Sequence, residues 1–274
     1  MTQTQKIIKY LALSLAIILI ITIFSAIITG IYGISNFLGL NHKQKVGELK
    51  ELSCLTTGTE TIPTDLKIDL NYTDLIIKYG DKFKIETTDP SIKCKKKNST
   101  LTIKDKKNYF NVTTKQKLII YLASAETFSD VDISTGAGSL EIDKLITKRL
   151  ELELGAGKTI INELISNDTE IDTGAGEFTI KSGTINNLDF DMGVGKTTIT
   201  ANITGNSKID SGVGSLNLNI LDSKDNYKLK LSKGIGTIKV NNEEVKDNET
   251  FGNGFHTLTI DGGVGEINIK FKGD

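Results

Sequence analysis

The segment VDISTGAGSLEI, residues 131–142, decides the fold because it returns along the chain with little change. It reads TEIDTGAGEFTI at 169–180 and SKIDSGVGSLNL at 207–218, and each copy holds a Gly-x-Gly step. Seven such steps occur, of which the first five recur at one fixed interval and the last two follow after longer intervals. Their glycines are Gly136, Gly138, Gly155, Gly157, Gly174, Gly176, Gly193, Gly195, Gly212, Gly214, Gly234, Gly236, Gly263 and Gly265. A fixed period of about 19 residues is typical of a solenoid, in which each unit buries its apolar face against its neighbours.

Apolar and polar residues alternate within each unit. The regular units begin at Val131, Leu150, Thr169, Leu188 and Ser207, and offsets 1, 3, 7, 10 and 12 are mostly apolar or Thr. Alternation with a period of two is typical of a strand with one buried face. We therefore predict an all-β fold, a right-handed parallel β-solenoid of about 19 residues per coil with two short strands in each. The residue between the glycines, at offset 7, is expected to face the core.

The repeated glycines need an explanation of their own. If offset 7 faces inward, the glycines on either side face outward, where crowding in the core does not act. A positive φ or a bulge that only glycine adopts without strain is the first interpretation. A flat strip of stacked glycines that serves for docking is the alternative.

The repeat divides the chain into three predicted parts. A short basic tail and a transmembrane helix occupy 1–40, a linker occupies 41–63, and the β-solenoid domain occupies 64–274. Within that domain, 64–130 holds a first coil and basic hairpins, 131–225 the regular repeats, and 226–274 irregular coils with a C-terminal cap. Residues 64–80 form that first coil, with Tyr72-Thr73-Asp74 in place of the Gly-x-Gly step.

The N-terminal segment has the composition of a membrane anchor. No residue from Tyr10 to Asn41 carries a charge, and 11–31 matches the roughly 20 residues that span a bilayer. A cleaved signal peptide has a shorter apolar run, of about 7–15 residues, and a cleavage site of small residues. We predict a single-pass anchor in the cell membrane. Lysines at both ends nearly balance, and the short basic tail favours a solenoid outside the cytoplasm.

The only two cysteines are Cys54 and Cys94. A disulfide can form between them in a protein outside the cell, and the sequence does not decide whether it does.

Charge is distributed unevenly along the chain. Residues 1–117 carry 18 Lys and 10 acidic residues, whereas 118–274 carry 15 basic and 24 acidic residues. The basic excess is concentrated in a predicted hairpin that contains Lys93, Lys95, Lys96, Lys97, Lys104, Lys106 and Lys107. These lysines either contact an anionic lipid or envelope polymer, or blunt an exposed strand edge.

Acidic residues recur at two offsets of the regular units. Offset 2 holds Asp132, Glu151, Glu170 and Asp189, and offset 4 holds Glu153, Asp172, Asp191 and Asp210. Both offsets are expected to face outward, so the carboxylates form two columns about 4.8 Å apart from unit to unit. Like charges directly opposite one another repel. We therefore expect the columns to meet weakly bound divalent cations or a basic partner, such as the lysine hairpin of a neighbour; a solvated face is the alternative.

Several classes of function are disfavoured by the same residues. Only two histidines occur, no Ser-His-Asp set is evident, and no Gly-rich loop precedes a helix. We predict no cofactor, no catalytic residues and no confident metal site. Nucleic-acid binding is disfavoured because no aromatic residues interleave with the lysines. A two-carboxylate polysaccharide-active enzyme stays a third interpretation.

The repeats quoted above resemble the bacterial "putative adhesin" family, a β-strand-repeat domain of unknown function often carried behind one membrane anchor. The resemblance covers residues 64–274 and implies a β-solenoid at the cell envelope without catalytic residues. We expect a membrane-anchored, non-catalytic binding or scaffold module. The alternative that the resemblance suggests is a regulatory or sensor subunit of an envelope-stress system, which would signal through its helix to a membrane protein partner.

Overall fold

The computed structural model describes residues 47–57, 63–105, 116–123 and 127–272. The predicted transmembrane helix therefore lies outside the described residues, as do Lys106 and Lys107. Within the described part, no helix is long and apolar enough to cross a membrane.

The described chain is all-β, as the alternation predicts, and its strands join into one 18-stranded sheet. A single turn of 3-10 helix, Lys224–Asn226, interrupts it. The strands are β1 Lys50–Glu51, β2 Leu55–Thr57, β3 Asp65–Leu70, β4 Thr73–Tyr79, β5 Lys84–Thr87, β6 Lys93–Lys97, β7 Thr100–Lys104, β8 Gln116–Leu122, β9 Thr127–Ile180, β10 Gly183–Asn186, β11 Leu188–Thr204, β12 Asn206–Ile220, β13 Tyr227–Ser232, β14 Ile235–Val240, β15 Glu243–Glu244, β16 Glu249–Phe251, β17 His256–Asp261 and β18 Val264–Phe271.

The regular units pair in parallel with no drift in register. In the first half of each unit, Phe190 lies opposite Ile171 on one side and Ile209 on the other. In the second half, Ile199 lies between Ile180 and Leu218 in the same way. The residues at offsets 3 and 12 are fully buried throughout, so a column of Ile, Leu and Phe side chains forms the core. Each unit therefore buries its apolar face against the units before and after it.

Beyond the regular units, spatial order departs from chain order. Ile260 of β17 lies between Ile209 of β12 and Leu231 of β13, so β17 separates two strands that precede it. Likewise, β18 lies between β12 and β14. The last Gly-x-Gly step thus stacks on the fifth, and the sixth lies outside it. The lengthened intervals before the sixth and seventh steps accompany this insertion.

The N-terminal end shows a similar insertion. β3 and β4 adjoin the first regular unit, with Leu66 opposite Val131 and Leu75 opposite Leu140, as the prediction of a first coil at 64–80 requires. β7 and β8 pair with the other sides of β3 and β4. They in turn pair with β6 and β5, which precede them in the chain.

Short strands lie at both ends of the sheet. β2 pairs with β6 and β1 with β5 at one end, while β16 pairs with β13 and β15 with β14 at the other. Each of these edge strands has only two or three residues, which leaves little unpaired backbone for another chain to join. Cys54, just before β2, is disulfide-bonded to Cys94 in β6, which resolves the pairing that the sequence left open.

Candidate binding face

The residue between the glycines does not face the core, and that part of the sequence interpretation is wrong. Val213 is 45% exposed and Ile235 is 46% exposed, and the alanines Ala156 and Ala175 are exposed as well. The second glycine of each step has a positive φ, +141° at Gly176, which interrupts the strict alternation of the strand. Offset 7 therefore joins the outer surface instead of the core.

The glycines are required by backbone geometry and by stacking together. At Gly176, φ lies where L-residues are strained, and an added Cβ would meet the Gly157 carbonyl oxygen at 1.8 Å. Gly174 has no positive φ, yet its Cβ would lie 2.2 Å from the Gly155 oxygen. Crowding therefore does act on these residues, and it comes from the backbone of the next unit. At Gly136, whose neighbour is Asn71 instead of a glycine, the corresponding distance relaxes to 2.7 Å.

The predicted acidic residues lie on the outer face of the first strand of each unit. All eight are exposed or half-buried and alternate with fully buried residues. In the offset-4 column, Asp191 lies directly opposite both Asp172 and Asp210, and in the offset-2 column Asp189 lies opposite Glu170. The carboxylates thus form two continuous columns on one face, which we call the acidic face.

The offset-4 column is longer than the sequence indicates. Asp261 lies opposite Asp210 because β17 stacks directly on β12. In the sequence these two residues are far apart, and no common period relates them. The acidic face therefore consists of nine residues: Asp132, Glu151, Glu153, Glu170, Asp172, Asp189, Asp191, Asp210 and Asp261.

Three of the nine carboxylates have an ion-pair partner within the described chain. Lys67 pairs with Asp132, Arg149 with Glu151 at 3.0 Å, and Lys208 with Asp210 at 2.5 Å. Among the described residues, none forms an ion pair with the other six. Those six are Glu153, Glu170, Asp172, Asp189, Asp191 and Asp261.

Asp191, at the centre of the face, shows the effects of partial burial and of its neighbouring carboxylates. The pKa of Asp191 is raised, first by partial burial and then by the negative charges of Asp210, Asp172 and Asp189. Lys208 opposes the shift only weakly, as the last of the contributions. The charged form of Asp191 is thus disfavoured in the folded state, and a positive charge placed over it would be stabilised.

A regular column does not make a metal site. Within the described ranges, no three His, Cys, Asp or Glu side chains converge closely enough to hold an ion. The parallel register keeps the carboxylates in rows about 4.8 Å apart instead of pointing them at one centre. The face therefore has the geometry of an extended surface.

The predicted lysine hairpin forms from β6 and β7, which pair antiparallel. Lys93, Lys95 and Lys97 are exposed, but Lys96 is buried, because residues along a strand alternate between its two faces. Its inclusion among the surface lysines is therefore wrong. Lys104 is exposed and pairs with Asp69 at 3.1 Å. β2 pairs with Lys95, Lys96 and Lys97 of β6, so this part of the hairpin is not the outermost strand of the sheet.

The lysine hairpin and the acidic face belong to the same side of the sheet. Lys95 lies opposite Thr102, Thr102 opposite Lys67, and Lys67 opposite Asp132. Directly opposed residues project from the same face. At the far end, Lys230 lies opposite Thr259, and Thr259 opposite Lys208. One outer surface thus runs from basic through acidic to basic, which the linear sequence does not reveal.

The concave features of the described chain lie elsewhere. A cavity of about 30 Å³ lies beside the stacked glycines, with Thr159, Phe178 and Met192 among its lining residues. An open cleft of about 500 Å³ lies between residues 78–84 and Tyr121, and Asp81 is the one carboxylate among its lining residues. A second open cleft, of about 300 Å³, has three carboxylates, those of Glu48, Glu51 and Asp89, among its lining residues.

The chain matches no protein-family model and no curated protein. Solved structures similar to it include a "putative cell adhesion protein" from Clostridium sporogenes, at 19% identity and a TM-score of 0.38 over 82% of this chain and 98% of that one. A "putative adhesin" from Bacteroides fragilis is 12% identical, with a TM-score of 0.31 over 81% of this chain and 95% of that one. A "putative lipid binding protein" from Parabacteroides distasonis is 13% identical, with a TM-score of 0.31 over 82% and 98%. These are proteins that the chain resembles, at a level from which neither ligand nor activity follows.

Proposed function

We propose that this protein is a membrane-anchored, non-catalytic binding or scaffold module of the bacterial envelope, similar to the adhesin-like repeat proteins. The observation that carries the proposal is the acidic face. Six of its carboxylates form no ion pair among the described residues, and they lie in rows instead of converging in a cleft. Such a face fits an extended or macromolecular partner of opposite charge.

The fold that we propose to present the acidic face is a right-handed parallel β-solenoid. In-register parallel pairing of successive units supports it, as do the columns of buried residues at offsets 3 and 12. Stacking of this kind repeats the same surface residues at a regular interval. The acidic face is the consequence of that repetition.

The proposed location is the outer side of the cell membrane, with 11–31 as the anchor. The uncharged run from Tyr10 to Asn41 supports the anchor. Protease added to intact, wall-stripped cells is expected to degrade residues 64–274 and leave the anchor in the membrane. Digestion that occurs only after lysis would indicate the opposite orientation, with residues 64–274 inside the cell.

Affinity capture from crosslinked membranes tests the binding role. Four full-chain substitutions, Glu170→Gln, Asp172→Asn, Asp189→Asn and Asp191→Asn, remove charge from the centre of the acidic face. A matched control neutralises Glu141, Asp143, Glu163 and Glu177, which lie on other outer positions of the same units. We expect the partner to be lost from the first variant and retained by the control. A partner that survives both variants but needs residues 7–34 would instead favour a regulatory subunit that works through its helix.

A further inference from the structure

The outer surface that carries the acidic face also carries lysines that form no ion pair among the described residues. Among the described residues, no carboxylate forms an ion pair with Lys93, Lys95 or Lys97. Lys93 lies directly opposite Lys104 in the hairpin, so like charges oppose one another here too. Lys93, Lys95 and Lys97 therefore form no ion pair among the described residues, and in the unit of Asp189 and Asp191 the neighbouring cation, Lys208, is paired with Asp210.

Distance prevents the two sets from neutralising each other within one copy. Six strand spacings separate β6 from the unit of Asp189 and Asp191, through β7, β3 and the units that begin at Val131, Leu150 and Thr169. At about 4.8 Å for each spacing, the separation is about 29 Å. That is several times the Debye length of about 8 Å at physiological ionic strength.

We propose that the occupant of the acidic face is a second copy of this chain, related by a two-fold axis and packed antiparallel, face to face. This inference rests on the proposed function of that face. A two-fold axis makes every contact twice, so Lys93, Lys95 and Lys97 of each copy lie over Asp189 and Asp191 of the other. The next strand inward, β7, then brings Lys104 of each copy over Glu170 and Asp172 of the other.

The size of the overlap sets the strength of the association. Seven strands at about 4.8 Å and a five-residue strand length of about 17 Å give about 570 Å² on each copy. A standard stable interface buries about 800 Å² on each partner. We therefore expect a weak dimer, formed mainly by charge and dissociated by salt.

Zero-length crosslinking of the purified full chain in a non-ionic detergent tests the contact. Unlabelled and ¹⁵N-labelled protein are mixed and treated with a carbodiimide, which joins a lysine amine to a carboxylate as an amide. We expect mixed-isotope peptides that link Lys93, Lys95 or Lys97 to Asp189 or Asp191. Their yield should fall about tenfold in about 0.5 M sodium chloride, where the Debye length is near 4 Å. Crosslinks found only within one isotope, or none between these segments, would overturn the proposal.

Charge-reversal variants distinguish the loss of this contact from the loss of the fold. One variant carries Lys93→Glu, Lys95→Glu and Lys97→Glu; the other carries Asp172→Lys, Asp189→Lys and Asp191→Lys. Each alone should lose the self-association, because both surfaces then have the same sign, and an equimolar mixture should recover it. The control, Lys158→Glu, Lys181→Glu and Lys196→Glu, changes three exposed lysines outside this face and should associate as the wild type does.

The mixture also distinguishes this inference from the proposed function. Mixed variants that stay monomeric although both are folded would overturn the dimer. Whether the acidic face captures another partner is tested separately, by the affinity capture from crosslinked membranes.

Discussion

The regular units at 131–220 and the two ends of the sheet are built from the same kind of strand but are held in place differently. In the regular units, each glycine step stacks on the step of the preceding unit, and the backbone of one unit fills the space where a Cβ would be in the next. At the ends, chain order and spatial order differ, and short antiparallel strands and a disulfide join the layers. The C-terminal end keeps the glycine stacking, since a Cβ on Gly265 would lie 1.8 Å from the Gly214 oxygen, whereas the N-terminal end depends on individual links such as the disulfide.

The acidic face differs in its charge pairing from ion pairs at the ends of the sheet. At the ends, opposite charges meet, as between Lys84 and Glu86 at 2.5 Å and between Lys239 and Glu266 at 2.9 Å. In the regular units, repetition places Asp191 between Asp172 and Asp210. Repetition stacks like charges where an offset keeps one sign, as in the acidic face, whereas at offset 9 the sign changes and Lys158 pairs with Glu177 at 3.1 Å.

The largest expected effect concerns the disulfide, which belongs to one end alone. The bond closes a loop of 40 residues, and the loop-entropy relation gives it about 4 kcal/mol. Replacement of Cys54 and Cys94 by Ala should therefore loosen β1, β2, β5 and β6. Hydrogen exchange should accelerate in 47–97 and stay slow in 150–220. As a control, a reductant added to the variant should not change its hydrogen exchange, because no disulfide remains to be reduced. Equal acceleration throughout would show that the ends and the regular units unfold as one.

The next effect concerns the glycines. Gly176→Ala combines a strained φ with a backbone clash and should lower the free energy of unfolding by about 3 kcal/mol. Gly136→Ala meets only the looser contact with Asn71 and should cost about 1 kcal/mol. Denaturant titration of both variants measures the difference. Equal losses would mean that stacking of glycine on glycine is not what holds the register.

A smaller effect is the response to pH, which should have opposite sign in the two regions. The pKa of Asp191 is raised in the fold, so its protonated form favours folding, and stability falls as pH rises through the titration of this carboxyl. Asp191→Asn should therefore stabilise at neutral pH, by about 0.5 kcal/mol or less for so exposed a group. The advantage should vanish in acid, below the titration.

At the ends the sign reverses. The pKa of Glu86 is lowered, first by its hydrogen bond with Lys84 and then by the one from Tyr121. Its charged form stabilises the fold above the ordinary glutamate pKa, and this contribution is lost as pH falls. Glu86→Gln should lower the melting temperature at neutral pH and have no effect in acid. Melting curves of both variants between about pH 3 and 8 compare the two signs.

Sequence reasoning succeeded where one physical rule determined the structure. Period-two alternation places Ile171, Phe190 and Ile209 in the core, and their neighbours at offsets 2 and 4 outside it. It failed where a second rule intervened. The outward direction of Val213 depends on the positive φ at the neighbouring glycine, which alternation does not include.

The rest depends on pairing between distant strands. Asp261 joins the acidic face because β17 inserts between β12 and β13, and no local signal in the sequence specifies that insertion. The union of the lysine hairpin with the acidic face likewise follows from the contact of β7 with β3. The burial of Lys96, in contrast, could have been predicted from the alternation rule, because its neighbours Lys95 and Lys97 lie on the opposite face of the strand.

The central claim is that the acidic face stacks like charges, six of which form no ion pair among the described residues. Melting of the full chain with Asp172→Asn and Asp191→Asn, from low to high sodium chloride, tests it most directly. We expect the variant to melt above the wild type at low salt and the two curves to converge as salt screens the repulsion. Glu266→Gln, which removes a paired carboxylate at one end, should melt below the wild type at low salt. A double variant that melts below the wild type at low salt would contradict the claim, because Asp172 and Asp191 would then have partners within the chain.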